Sequence, residues 1–317
     1  MMQDIKFSVI IPSYHSDKEV LVRTIKSILN QSYIPYEIIL VDDNGPCSYQ
    51  NITKEVQAIY TERLRVIYNR QNQGANYSRN IGIKEAYGDY IAFLDADDEW
   101  HQDYLKEAAD IICEHNADFL TTNYSIIHQE GVLPPSFSAD SKPFHENILK
   151  KEIYLDLVGP TSTVIVKRSV LIESGLFDEK LPARQDYDMW LRVCRHAELY
   201  FNKNSRVKVF RDGHASISSS YKRNIEGTKI VLSKIMMYND ISSKEKRMVE
   251  ASQYKHMALA CILCSAYKES RTYSLASLKL KFDKSLLGWY LLSFTPHLFT
   301  ILREIRKNIL YKKGNKR

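Results

Sequence analysis

Two acidic runs carry side chains suited to complementary chemistry: Asp95-Ala96-Asp97-Asp98 and Ala183-Arg184-Gln185-Asp186-Tyr187-Asp188. The first ends an apolar, strand-like segment, Tyr90–Leu94, where clustered carboxylates can hold a divalent metal. The second opens an amphipathic helix and offers a separate carboxylate that could accept a proton. A metal site with an independent base is what transfer of a group from a diphosphate-linked donor needs.

The elements that must position these runs can be read from periodicity. Phe7–Ile11 is a short apolar run stopped by Pro12, and Ser16-Asp17-Lys18-Glu19 reads as a capping box. Leu21, Ile25, Ile28 and Leu29 follow at helical spacing. Glu37–Val41 is a second strand, closed by the turn Asp42-Asp43-Asn44-Gly45-Pro46. A helix near Tyr49–Tyr60, a strand Leu64–Tyr68, a helix Asn76–Ala86 ended by Gly88, and strands Tyr90–Leu94 and Phe119–Tyr124 continue the alternation. This rhythm predicts an α/β fold, a mostly parallel sheet flanked by helices. Ligands in such sheets bind beyond the carboxyl ends of the strands. Those ends carry Pro12-Ser13-Tyr14, Asp42-Asp43 and the first acidic run. No Gly-x-Gly-x-x-Gly and no Walker lysine follows the first strand, which argues against dinucleotide and P-loop readings. Further on, Gly131–Glu146 is loop-like, Thr163–Val166 and Arg206–Phe210 are strand-like, and Asp186–Arg195 is helical. After about Asn224 the pattern is helical throughout.

The ordered series Val9-Ile10-Ile11-Pro12-Ser13-Tyr14, Ser27–Ser32, Glu37–Asp43 and Asn72-Gln73-Gly74-Ala75-Asn76-Tyr77-Ser78-Arg79-Asn80, completed by the two acidic runs, resembles family 2 glycosyltransferases of the GT-A fold. The likeness covers roughly residues 6–220. It implies a nucleotide-sugar-binding, catalytic domain over residues 1–220 and a helical C-terminal region over 221–317. The implied activity is inverting transfer from a nucleotide-diphosphate sugar, a UDP-sugar, to a glycan or lipid-linked glycan in bacterial surface-polysaccharide assembly.

The resemblance also assigns roles. Asp95 and Asp97 match the family's Asp-x-Asp, implying Mn²⁺ or Mg²⁺, with Asp97 the direct ligand and Asp95 nearer the ribose. Asp98 could share that task. Asp43 matches the carboxylate that accepts from uracil N3–H, and Pro12 and Tyr14 match the segment around the base. Arg79 matches a diphosphate or ribose contact, although Ser78 stands where alanine is usual. Asp186 matches the general base of a Glu-Asp pair in which Gln185 replaces the glutamate; Asp188 is its rival. His214, in Arg211–Ser218, matches a histidine that approaches the diphosphate and metal, and an ordinary surface histidine is the competing reading. Trp100 could stack on a sugar ring, whereas Trp190, beside Met189 and Val193, reads as core. A sugar nucleotidyltransferase and a non-catalytic glycan-binding protein on a transferase fold are the alternatives. The first would want a Gly-rich basic loop after Pro12, and the intact Asp95, Asp97 and Asp186 argue against the second.

Charge refines the partners. The net charge of +6 equals the excess in the last fifteen positions, where seven basic residues from Arg303 to Arg317 face the single Glu304. A neutral body with a basic tail points to an anionic surface and away from nucleic acid. Leu286–Leu302 is apolar and aromatic, short for a membrane span and interrupted by Pro296 and His297. The segment 286–317 therefore reads as a peripheral membrane contact, with packing on the domain or a homodimer contact as the other readings. The five cysteines have irregular spacing, Cys261-Ile262-Leu263-Cys264 included, and read as buried thiols. No leader pattern opens the sequence, so a cytoplasmic location is expected, on the inner face of the membrane if attached.

Overall fold

The computed structural model describes residues 4–45, 47–59, 63–128, 131–133, 158–211 and 220–301. Elements run in the order β1 (Phe7–Ser13), α1 (Lys18–Leu29), β2 (Glu37–Asp42), α2 (Cys47–Ile59), β3 (Leu64–Tyr68), α3 (Ala75–Glu85), β4 (Tyr90–Phe93), β5 (Glu99–Trp100) and α4 (Tyr104–His115). Then come β6 (Phe119–His128), β7 (Gly131–Leu133), a 3₁₀ turn (Thr161–Thr163), β8 (Val164–Lys167), α5 (Arg168–Glu173), α6 (Gln185–Val193) and β9 (Leu199–Phe210). Four helices follow: α7 (Tyr221–Met236), α8 (Ser243–Leu263), α9 (Tyr267–Leu280) and α10 (Lys284–Leu292).

The described strands form one sheet, β3-β2-β1-β4-β8-β6-β9-β5, with β7 hairpinned onto β6. Pairing is parallel from β3 to β4, as the β-α rhythm predicts. Beyond β4 the order becomes mixed: β8 runs antiparallel to β4 and β6, and β9 runs parallel to β6. Strands β1 and β2 are buried along their whole length, so both faces must be covered. Alternate residues serve the two faces. Val9, Ile11, Ile38 and Leu40 pack with Leu21, Ile25 and Ile28 of α1 and Leu105 of α4. Ile10, Ile39, Val41, Ile91 and Phe93 pack with Ile83 of α3, Leu171 of α5, and Met189 and Trp190 of α6.

Two local expectations need correcting. The capping box at Ser16 does not form: α1 starts at Lys18 with Asp17 at the N-cap, and the Ser16 hydroxyl lies 3.5 Å from that of Ser13. A capping box instead opens α8, where Ser242 and Glu245 satisfy each other's backbone N–H. Gly88 does not end α3, whose C-cap is Ala86; it is required instead by close approach, since a Cβ there would sit 2.7 Å from the Lys6 carbonyl oxygen.

The chain divides into two compact units. Among the described residues, one holds the sheet and α1–α5, through residue 179, and resumes at 189–211. The other holds residues 180–188 with 220–301, so the division falls inside α6. In the second unit α8 packs on α7 and α9, and the Ser270 and Ser277 hydroxyls donate to the Ala258 and Ala251 carbonyls at 2.9 and 2.7 Å.

Phe93 is fully buried, with its ring centroid 5.6 Å from that of Phe177 and 6.0 Å from that of Trp190. Phe93→Ala should cost about 3–5 kcal/mol in denaturant unfolding; a loss under about 1 kcal/mol would mean that this face is not a packed core.

Candidate active site

In the first unit the three polar clusters come together at neighbouring strand ends. Pro12 pairs with Val41 and Ser13 with Asp42, and the Asp43 N–H donates to the Ser13 carbonyl at 2.9 Å. On the other side of β1, the Leu94 N–H donates to the Ile10 carbonyl at 3.0 Å, which sets Asp95 beside the end of β1. Pro12 is buried within the strand, while the Tyr14 ring stands 51% exposed beyond it. An exposed ring at a strand end can stack on a planar ligand.

Asp43 is buried and already holds the loop that opens α3. Its Oδ1 accepts from Asn69 Nδ2 at 2.8 Å and the Gln73 N–H at 2.9 Å, and its Oδ2 accepts from the Gly74 N–H at 2.7 Å. Gly74 has φ +90°, a conformation that favours glycine. The neighbouring Asp42 turns inward to the Gly45 N–H and the Thr53 hydroxyl. One carboxylate of the pair is structural, and the other keeps lone-pair capacity on Oδ2.

The first acidic run is divided among different partners. Asp95 Oδ1 accepts from Arg79 Nη2 at 2.6 Å, and Arg79 is buried with its guanidinium 5.6 Å from the Phe177 ring centroid. Arg79 thus bears on the run through Asp95. Asp98 is 3% exposed and accepts from the Ser162 hydroxyl at 2.5 Å and the Phe210 N–H at 3.1 Å. Burial first, then Asp95 and Asp97, push its carboxyl well above the ordinary range. Asp97 touches solvent, yet protein crowded around it displaces enough water to push its carboxyl up, with Asp95 adding to the effect. Arg211 and Arg23 act in the opposite direction. The main chain of the run is fixed from α1: Thr24 Oγ1 lies 2.9 Å from the Ala96 carbonyl oxygen and 2.8 Å from that of Asp98, and Arg23 donates to that of Asp97.

Among the described residues no three His, Cys, Asp or Glu side chains gather into a metal cage. A hard dication bound through one or two carboxylates and the phosphates of a substrate needs no such cage. Asp95 and Asp97 fit that mode, because they are hard oxygen donors and a cation would offset both the burial and the Asp95 charge that raise Asp97. His214 lies outside the described residues.

The second acidic run belongs to the other unit. Asp188 is 3% exposed and paired with Lys234 Nζ at 2.8 Å, which commits it to structure. Asp186 is half-buried in the first turn of α6, its Oδ1 accepting from the Tyr187 N–H at 2.8 Å. The two aspartates are therefore distinguished by environment, and Asp186 is the one suited to act as a base. The Gln185 Oε1 is buried without a hydrogen-bond partner among the described residues. His256 of α8 shares this environment. Burial, then the Arg184 cation, push its imidazole down to about 3, while Asp186 pulls the other way.

Trp100 does not offer its ring to a sugar: it is 2% exposed, packs on Tyr104 at 4.5 Å and donates from Nε1 to the Ser162 carbonyl at 2.8 Å. Trp190 lies in the core as expected. Of the cysteines, Cys261 is buried, with its thiol pushed up to about 11 by burial, whereas Cys113 and Cys264 are exposed, against expectation. Sequence reasoning missed Ser162, Thr24 and Asn69. A lone hydroxyl or amide carries no periodic signal, and each acts across a long stretch of chain. Gln73 and Gly74 lay within a quoted motif, but their backbone bonds to Asp43 could not be read from it.

Comparison with known proteins then identifies the fold and the family. The fold is the GT-A fold, similar to that of S. aureus TarS. The structure of TarS 1-349 in complex with UDP-GlcNAc superposes with a TM-score of 0.66 at 19% identity, covering 89% of this chain and 83% of that one. The chain spans about half, 53%, of a longer TarS structure. Residues 8–175 match the family described as "Glycosyl transferase family 2", and the chain belongs to that family. The putative teichuronic acid biosynthesis glycosyltransferase TuaG of Bacillus subtilis is 31% identical over 215 residues, 67% of this chain and 81% of the relative. The GalNAc(5)-diNAcBac-PP-undecaprenol beta-1,3-glucosyltransferase of Campylobacter jejuni is 27% identical over 300 residues, 92% of this chain and 94% of the relative.

The depressed imidazole has a consequence for stability. An unfolded chain binds a proton at histidine below about pH 6.5, and the folded chain refuses it until about pH 3. Stability should therefore fall as pH drops from about 6.5 toward 3, by up to about 1.4 kcal/mol per pH unit for this group. His256→Gln should flatten the slope by up to one proton in urea unfolding between about pH 7 and 5; an unchanged slope would refute the assignment.

Proposed function

We propose that this glycosyltransferase moves a sugar from a UDP-sugar to a glycan or lipid-linked glycan in bacterial surface-polysaccharide assembly, with inversion at the anomeric carbon. The observation that carries the reading is the row of polar groups on neighbouring strand ends: Tyr14 beyond β1, Asp43 beyond β2, and Asp95 and Asp97 beyond β4. UDP-GlcNAc bound to TarS, and the undecaprenol-linked substrate in the name of the C. jejuni relative, support the donor and acceptor classes.

In this reading Tyr14 and Pro12 border the base, and Asp43 accepts the uracil N3–H with its remaining lone pair. Arg79 holds Asp95 toward the ribose and contributes positive charge beside the diphosphate. Asp95 and Asp97 would hold Mn²⁺ or Mg²⁺, which supplies charge neutralisation for the departing diphosphate. Asp186 takes the acceptor hydroxyl proton as that oxygen forms its bond to the anomeric carbon. The bond to the diphosphate oxygen breaks on the opposite face, and its electron pair leaves with UDP. One in-line displacement inverts the centre.

Asp186→Asn should lower transfer by about 10²–10⁴-fold and leave UDP affinity near wild type. Turnover with UDP-sugars should require Mn²⁺ or Mg²⁺ and stop with EDTA. Lost UDP binding in Asp186→Asn would move that residue into the donor site and end its role as base. EDTA-resistant turnover would remove the metal from the scheme.

The segment 286–317 is the proposed membrane contact. Leu291, Phe294 and Ile301 are each more than half exposed, and a basic run follows them in sequence. No helix among the described residues is long and apolar enough to cross a membrane. Apolar side chains beside clustered cations suit the surface of an anionic leaflet. The full chain should float with phosphatidylglycerol vesicles and not with phosphatidylcholine vesicles, and Phe294→Asp with Leu298→Asp should abolish flotation. Failure to float, with a dimer in sedimentation, would give this face to a second copy of the chain.

A further inference from the structure

We propose that α7 and α8 set the position of the general base, with Gly227 as the point at which α7 rests on the chain that carries it. The proposal rests on the reading of Asp186 as that base. A catalytic domain ending near residue 220 would leave all of these contacts outside it, yet residues 180–188 form one compact unit with the C-terminal helices.

Gly227 lies in the middle of α7, where glycine costs about 1 kcal/mol relative to alanine. A packing reason is present. A Cβ at Gly227 would lie 2.3 Å from the Ala183 carbonyl oxygen and 2.8 Å from its carbonyl carbon, both part of a main chain that cannot turn aside. Neighbours along α7 grip the same segment. One turn earlier, Arg223 Nη2 donates to the Pro182 carbonyl at 3.2 Å, and further along Lys234 holds Asp188. From α8, Gln253 Nε2 donates to the buried Tyr187 hydroxyl at 3.0 Å. His256 ties α8 to α7 through its Nε2, 3.1 Å from Asn224 Oδ1. The contacts therefore reach the residues on both sides of Asp186.

The segment itself needs such a frame. Arg184 has φ +64°, a left-handed conformation that a non-glycine residue adopts at a cost of about 1–3 kcal/mol. Its guanidinium lies 4.1 Å from the Tyr187 ring centroid. A turn of this kind persists where its surroundings over-determine it, and here α7 and α8 do so. Displacing Ala183 would displace Asp186, three residues along the chain in the first turn of α6. Proton abstraction depends steeply on such placement, whereas donor affinity does not draw on Asp186.

The test is Gly227→Ala in the full chain, alone and combined with Asp186→Asn. Alone, it should lower kcat between about 10- and 100-fold with the UDP dissociation constant unchanged. In the Asp186→Asn background it should lower the residual rate no further, although it reduces the thermal midpoint equally in both. An equal fall in rate with and without Asp186, or an unchanged kcat in the single variant, would overturn the proposal. If Gly227→Ala does not fold, Arg223→Met, at an exposed position, applies the same cycle with a smaller expected fall of about 3- to 5-fold, and the same two outcomes overturn it. Full transfer by Asp186→Asn alone would instead sink the base assignment, a result separable from either.

Discussion

Three acidic residues within four positions, Asp95, Asp97 and Asp98, create the constraint on which the site depends. Burial first, then neighbouring negative charge, pushes the carboxyls of Asp97 and Asp98 up, and each member of the run must be given a different fate. Asp98 is drawn inward to Ser162 and the Phe210 N–H, joining the acidic loop to β9 and the 3₁₀ turn. Asp95 is matched by Arg79, which α3 delivers from the far side of β1. Asp97 keeps its carboxylate toward solvent while Arg23 takes its carbonyl. A run that reads as uniformly acidic is thereby resolved into an anchor, a paired group and an available ligand.

The helix that brings Arg79 also organises the other strand ends. Asp43 fixes the turn before α3, Ser78 lies 3.2 Å from Asn69, and Asn80 donates to the Phe177 carbonyl and to Glu179. The motif Asn72–Asn80 is therefore a junction more than a contact strip. Its side chains set the separation of β2, β4 and the segment around Phe177 before any ligand enters. Preorganisation of this kind spares the ligand the cost of ordering the site.

Strand and helix rhythm was legible through β4, because buried parallel strands and their covering helices write strong local patterns. The strands that complete the sheet were only partly legible. Arg206–Phe210 captured the end of β9, but its first half, with half-buried Asn202 and exposed Lys203 and Asn204, breaks the apolar pattern. The order β4-β8-β6-β9 arises from pairings across long stretches of chain, which leave no spacing signature. In sequence only the family match set Asp186 apart from its rival Asp188, because Lys234, which pairs with Asp188, lies on a distant helix. Ser16 and Ser242 both open the capping-box pattern, and tertiary context realised it at Ser242 alone. Trp100 read as exposed chemistry beside an acidic run, yet its indole found a carbonyl partner inside the core.

Strand β5 is two residues long and follows the acidic run directly. It pairs with β9 through Glu99 and Trp100, and Glu99 meets Lys208 across the pair. Being short and charged, it ends the sheet without inviting another chain to add to it. The same few residues thus guard the sheet's border and follow the ligand loop, so misfolding of this loop would bare part of β9 to self-association.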